Sequence, residues 1–147
     1  MSYALRDHTA DVAVEATAPT LGALFEAVAD GLTAASCETV PEEGDRFELT
    51  VSAESREALL FDYLDRLIYE RDVRLVLPAD HRCAISGPDG AGGSASTDDE
   101  PEWTAEATAQ GVPLDAVAAR EIKAVTYSEM TLERRDDGWY AYVVFDV

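Results

Sequence analysis

The stretch that decides the fold is Asp11-Val12-Ala13-Val14-Glu15-Ala16-Thr17-Ala18-Pro19-Thr20-Leu21-Gly22-Ala23-Leu24-Phe25-Glu26-Ala27-Val28. Its hydrophobic period changes partway along. Val12, Val14 and Ala16 alternate with Ala13, Glu15 and Thr17, a period of two that reads as a strand. Pro19 and Thr20 break the run. Beyond them Leu21, Leu24, Phe25, Val28 and Leu32 recur with the spacing of a helix that buries one face. Thr20 is positioned to cap that helix by accepting from a free backbone N–H. Gly22 and Gly31 lower its intrinsic helicity.

The same switch then repeats. After an acidic turn from Pro41 to Asp45, Phe47, Leu49, Val51 and Ala53 alternate as a second strand. Ser55 is a second N-cap. The helix it opens buries Leu59, Leu60, Tyr63, Leu64, Leu67 and Ile68, with Asp62, Asp65, Arg66 and Glu70 outside or at its edge. From there on the pattern is of strands. Val73, Leu75 and Leu77 predict one that Pro78 stops, and Cys83 to Ile85 a short one. Trp103 to Gln110 predicts another, and most of Ile122 to Glu133 is extended. Leu114 to Arg120 has no clear period. Asp136-Asp137-Gly138 predicts a hairpin, because Asp-Gly supplies the positive φ that tight hairpin turns require. The last strand runs from Trp139 to Phe145.

Neither helix buries its apolar stripe by itself. The expected architecture is therefore α+β: a two-layer single domain over residues 1–147, with a mostly antiparallel or mixed sheet covered by two amphipathic helices. Gly87 to Glu102, rich in Gly, Ser and acid, reads as a flexible acidic loop. It has no GK[ST], and its carboxylates repel phosphate, so it is not read as a P-loop.

The chain has 30 Asp and Glu against 11 Lys and Arg, a net charge of −19. Hydrophobic residues still make up 47%, so the acids coat an ordinary core rather than replace one. That coat repels phosphate backbones and anionic lipid, which argues against non-specific nucleic-acid binding and against a membrane partner. Ten of the bases are Arg and one is Lys, Lys123. Many acids with almost no Lys is the halophilic pattern of an acidic surface, in which molar salt shortens the Debye length to about 3 Å and screens the repulsion. No apolar run approaches the roughly 20 residues of a membrane span, and the first residues lack the basic and apolar regions of a signal peptide. The expectation is a cytoplasmic protein with Cys37 and Cys83 as free thiols. Scattered His and Cys argue against a thiolate zinc site. Nucleophilic catalysis has no G-x-S-x-G motif, and neither Cys is read with a His as a nucleophile–base pair.

Polar residues collect beside apolar strands in three places: Asp7 to Asp11, then Glu121, Lys123, Thr126, Tyr127 and Ser128, then Phe145-Asp146-Val147. Chain ends are usually frayed and polar, yet this one stays apolar to its last residue. A sheet that holds it sets Asp146 beside the terminal carboxylate of Val147. If Asp11 lies near, three carboxylates converge, and hard oxygen donors of this kind suit Ca²⁺ or Mg²⁺. The plainer reading makes Asp11 a turn cap and Asp146 a solvated terminal residue. His8 reads equally as a ligand, a general base or a satisfied histidine. Lys123 reads as a partner for the carboxylates, a contact for another protein, or a strand-edge lysine.

These segments also carry a resemblance. His8-Thr9-Ala10-Asp11 with the first strand and helix resembles the N-terminal signature of the archease family. Leu59 to Glu70 is similar to its Leu- and aromatic-rich helix, Lys123-Ala124-Val125-Thr126-Tyr127 to its Lys-Ala-x-Thr-Tyr segment, and Phe145-Asp146-Val147 to its ending. The pieces follow the family's order across nearly the whole chain. The resemblance implies a non-enzymatic protein cofactor in tRNA splicing, which activates an RtcB-type RNA ligase by promoting its guanylylation and multiple turnover. It implies a divalent cation on Asp11, Asp146 and Val147, with Ca²⁺ first and Mg²⁺ or Mn²⁺ as alternatives. His8, Lys123, Thr126 and Tyr127 would then support that site or touch the partner. The family has also been linked to a chaperone-like role toward tRNA-modifying methyltransferases. A metal-dependent hydrolase on the same carboxylates, with His8 as base, is a further alternative. The family often has His where Ser128 stands here, and the acidic loop maps onto no family function.

Overall fold

The computed structural model describes residues 2–7, 11–37, 39–87, 102–117 and 119–147. The acidic loop, apart from Gly87 and Glu102, and His8 therefore lie outside the described residues. The elements run β1 (Ser2–Asp7), β2 (Asp11–Ala18), α1 (Leu21–Ser36), β3 (Arg46–Ala53), α2 (Arg56–Arg74), β4 (Val76–Ser86), β5 (Trp103–Pro113), a short 3₁₀ turn (Leu114–Ala116), β6 (Ala124–Arg135) and β7 (Gly138–Asp146).

Both helices start where their caps predict. Thr20 accepts from the Ala23 amide and Ser55 from the Ala58 amide, each at 3.1 Å, and caps of this kind contribute about 1 kcal/mol each. The fold is α+β with antiparallel pairing throughout, and the strands separate into two sheets. One has the order β1-β2-β7-β6 and the other β3-β5-β4. The main core lies between the sheets and the helices, and includes Val14, Phe25, Leu60, Tyr63, Ala107 and Phe145. No helix among the described residues is long and apolar enough to cross a membrane.

Several details differ from what the period predicts. Val73 belongs to α2, which ends only when Leu75 turns to φ 57. Pro78 does not stop the next strand. It lies within β4, on the edge of its sheet, where a missing N–H is tolerated. Ser2–Asp7, which carries no clear alternation, pairs with β2 over its whole length.

The hairpin forms, but its turn is shifted by one residue. Arg135 pairs with Gly138, so Asp136 and Asp137 make the two-residue loop, and it is Asp136 that takes φ 46. Gly138 is needed for a different reason: a Cβ there would sit 2.6 Å from the backbone oxygen of Ala18. Gly138→Ala therefore has to push two backbones apart. It should lower unfolding free energy by about 1–3 kcal/mol, the usual cost of overpacking. Urea denaturation checks this, with Asp137→Ala, in the loop itself, as the mild control.

Candidate functional site

Asp11 begins β2 and Asp146 ends β7, and the antiparallel register sets the two directly opposite each other. Residues opposed in this way have Cα atoms about 4.5–5.5 Å apart and side chains on one face. The face follows from alternation. Phe145 points into the core, so Asp146, one residue on, points out. Asp146 is exposed and Asp11 half-buried. Val147 packs its side chain against the core, which anchors the chain end. On the other side of Asp146 stands Ala124, its partner on β6. The amide of Lys123 donates to the Asp146 carbonyl at 2.8 Å, so the only lysine is tied by its backbone to one of the two opposed acids.

Two like charges directly opposite destabilise a strand pair, and a divalent cation between them reverses that sign. The donor set fits a hard cation: carboxylate oxygens from two facing strands. Among the described residues there is no group of three or more His, Cys, Asp and Glu side chains with metal-site geometry. Further donors to such a cation would therefore come from the terminal carboxylate, backbone carbonyls or solvent.

The remaining residues divide. Thr126 lies on the same outer face, opposite Val144, and its hydroxyl donates to the Val144 carbonyl at 3.0 Å. Tyr127 goes elsewhere. One residue on from Thr126, it lies on the opposite face of the strand, the face on which α2 packs, and the β6–β7 register breaks between Thr126 and Thr131, with Glu129 at φ 66. Its ring stacks flat on Phe61 of α2, centroids 4.2 Å apart, and stays 53% exposed.

A second polar cluster escaped the sequence. Pro78-Ala79-Asp80-His81 reads as the end of a strand, but the chain continues through an irregularity between Ala79 and Arg82 that turns His81 inward. His81 is 5% exposed, and its Nε2 lies 2.8 Å from Thr33 Oγ1. Burial pushes its pKa down to about 4. Asp30 accepts from the His81 amide, and burial, with Glu26 and Asp80 close by, pushes Asp30 up to about 6. Glu26 accepts from the Cys83 amide at 2.8 Å. Burial and that carboxylate push the Cys83 thiol up to about 12, which keeps it protonated and a poor nucleophile at neutral pH. Glu70 is also buried, contrary to its expected place at the helix edge, because Arg66 and Arg74 pair with it from one turn on each side. The signal for this was present in the i, i+4 spacing of the two arginines.

The chain matches the model of the Archease protein family over residues 3–147. It is 30% identical to protein archease of Pyrococcus furiosus over 146 residues, covering 96% of this chain and 95% of that protein. Against protein archease of Thermococcus gammatolerans the identity is 32% over 146 residues, with the same coverage. Its fold is similar to the solution structure of a Methanobacterium thermoautotrophicum protein, with a TM-score of 0.73 at 24% identity over 99% of this chain and 98% of that one. It is also similar to the crystal structure of a Thermotoga maritima archease described as a possible chaperone, with a TM-score of 0.61 at 22% identity over 97% and 94% of the two chains.

The Asp30 shift has a testable sign. Its folded value near 6 lies above the ordinary 3.8, so the folded state favours the neutral carboxyl. The stability this contributes is fully present below about pH 4 and is lost as pH rises through about 6. Asp30→Asn should therefore be more stable than the parent protein at pH 8, with the difference vanishing at pH 4. Urea midpoints measured across that range decide it. His81 titrates in the opposite sense in both proteins and cancels from the comparison.

Proposed function

The chain belongs to the archease family, and from that premise we propose that it is a non-enzymatic activator of an RtcB-type RNA-splicing ligase in tRNA splicing, acting with a bound divalent cation. The cation's ligands in this reading are Asp11, Asp146 and the terminal carboxylate of Val147. The observation that carries it is the cross-strand pairing of Asp11 with Asp146. Ca²⁺ suits the set best, since it accepts irregular oxygen coordination, and Mg²⁺ or Mn²⁺ are the alternatives. A bound cation supplies charge neutralisation between the two carboxylates. The chain's own residues do the rest. The Lys123 amide holds Asp146 in line through its carbonyl, and the core contacts of Val147 hold the chain end.

Activation requires a surface for the ligase. The exposed Tyr127 ring, held flat against Phe61, is a rigid aromatic contact of the kind that anchors interfaces. His8, Lys123 and Thr126 belong to the same reading as supports of the cation site or contacts for the partner. A net charge of −19 favours a partner that is itself basic, as a protein that handles RNA must be. It disfavours non-specific binding of the RNA by this chain. Guanylylation and repeated turnover are the steps of the ligase on which this chain acts, within the cytoplasm.

A second reading, a chaperone-like module for tRNA-modifying methyltransferases, is favoured by the description of the Thermotoga maritima relative as a possible chaperone. Ligase guanylylation assayed at high salt, with and without this protein, separates the two. Asp11→Asn and Asp146→Asn should each reduce stimulation at least about tenfold, the usual scale for removing a charged binding group. Each should also weaken Ca²⁺ binding in calorimetry while leaving the circular dichroism spectrum unchanged. Stimulation that survives both substitutions overturns the cation assignment, and no stimulation by the parent protein overturns the activator reading.

A further inference from the structure

We propose that a single water molecule is an integral part of this fold, held between His81 of β4 and Arg71 of α2. The two residues line a cavity of about 10 Å³, together with Thr33, Ser36, Leu77 and Ile122. That is the scale one water requires, roughly 10–15 Å³.

The hydrogen-bond inventory decides what the cavity takes. Thr33 has one hydroxyl proton. Its Oγ1 lies 2.7 Å from the Pro78 carbonyl and 3.1 Å from the Ala29 carbonyl, and a carbonyl only accepts. The proton is therefore committed to these oxygens. Oγ1 must then accept from His81 Nε2, 2.8 Å away. Nε2 carries the imidazole proton, and Nδ1 is left with a bare lone pair. His81 Nδ1 is buried and has no hydrogen-bond partner among the described residues, and the same is true of Arg71 Nε. An arginine Nε has a proton to donate and nothing to accept with. The residues lining the cavity thus include one with a buried acceptor and one with a buried donor.

The occupant must donate to Nδ1 and accept from the Arg71 Nε–H. An anion meets the arginine but is repelled by the imidazole lone pair. A cation meets the lone pair but is repelled by the guanidinium. Water satisfies both. Ser36 offers a place for its second proton: the Ser36 hydroxyl is donated to the Leu32 carbonyl at 2.9 Å, which leaves its oxygen free to accept. Bound there, the water ties together α1, through Thr33 and Ser36, α2 through Arg71 and β4 through His81. It links both helices to the edge of the three-stranded sheet where the main-chain pattern is irregular. This site is independent of the cation site and of the activator reading.

The test uses the full chain labelled with ¹⁵N. Imidazole correlation spectra should show His81 neutral with its proton on Nε2. Cross-relaxation experiments should show a long-lived water in contact with protons of Thr33 and Ile122. A high-resolution crystal structure should show one water within about 3.2 Å of both nitrogens. In Arg71→Met, which keeps bulk but removes the donor, the water contact should be lost while the rest of the amide spectrum is retained. A proton on Nδ1, no water contact in the parent protein, or a chloride in the cavity each overturns the proposal. The first two readouts need no variant, so they stand even if Arg71→Met fails to fold.

Discussion

The structure depends most on the register between β2 and β7, which zips residues near the start of the chain to its end. Val12 meets Phe145, Val14 meets Val143 and Ala16 meets Ala141. These are the inner strands of the four-stranded sheet, so β1 and β6 take their places from them. A slip of one residue would turn the core-facing row outward. The same register brings Asp11 opposite Asp146. The candidate site is thus a by-product of core packing: the carboxylates meet because the apolar residues beside them do.

The helices then join the two sheets. Each packs on both, α1 against β2 and β4, α2 against β3 and β6. Close approach requires small residues at the crossings. A Cβ on Gly31 would lie 2.5 Å from Val14 Cγ1, and one on Gly22 would lie 2.8 Å from the Cys83 carbonyl. These glycines weaken α1 as a helix and are kept for the contact. Under the helices, β5 presents Ala105, Ala107 and Ala109, all buried. At the open end Arg56 lies over Trp103 of one sheet and Trp139 of the other, 5.4 and 5.0 Å from the ring centroids. Cation–π contacts of this kind are worth about 0.5–2 kcal/mol, and here one guanidinium serves both sheets.

The acids fall into distinct classes. Most are solvated at the surface. A few are structural: Glu70 between two arginines, Glu26 on the Cys83 amide, and Asp30 on the His81 amide. Burial raises the cost of charge on Asp30, which makes it an acid that resists ionisation in a chain dominated by ionised ones. Asp11 and Asp146 form a third class, two acids set directly opposite each other across a strand pair.

Much of this was legible in the sequence. The two helices, their caps, the alternating strands and the motif-bearing segments follow from local period and composition, because side-chain periodicity is a property of neighbours along the chain. The turn at Asp136-Asp137, the continuation of β4 through Pro78 and the pairing of Ser2–Asp7 did not follow, because each depends on a partner strand far away. His81 was hidden for the same reason: a short irregularity in β4 decides whether it faces water or Thr33. By itself the sequence determined the α+β class and the segments that hold the candidate residues. Only the tertiary structure decided that Asp11 meets Asp146 and that the Tyr127 ring finds Phe61 of α2, since strand register and inter-element contacts are set by long-range pairing that no local pattern encodes.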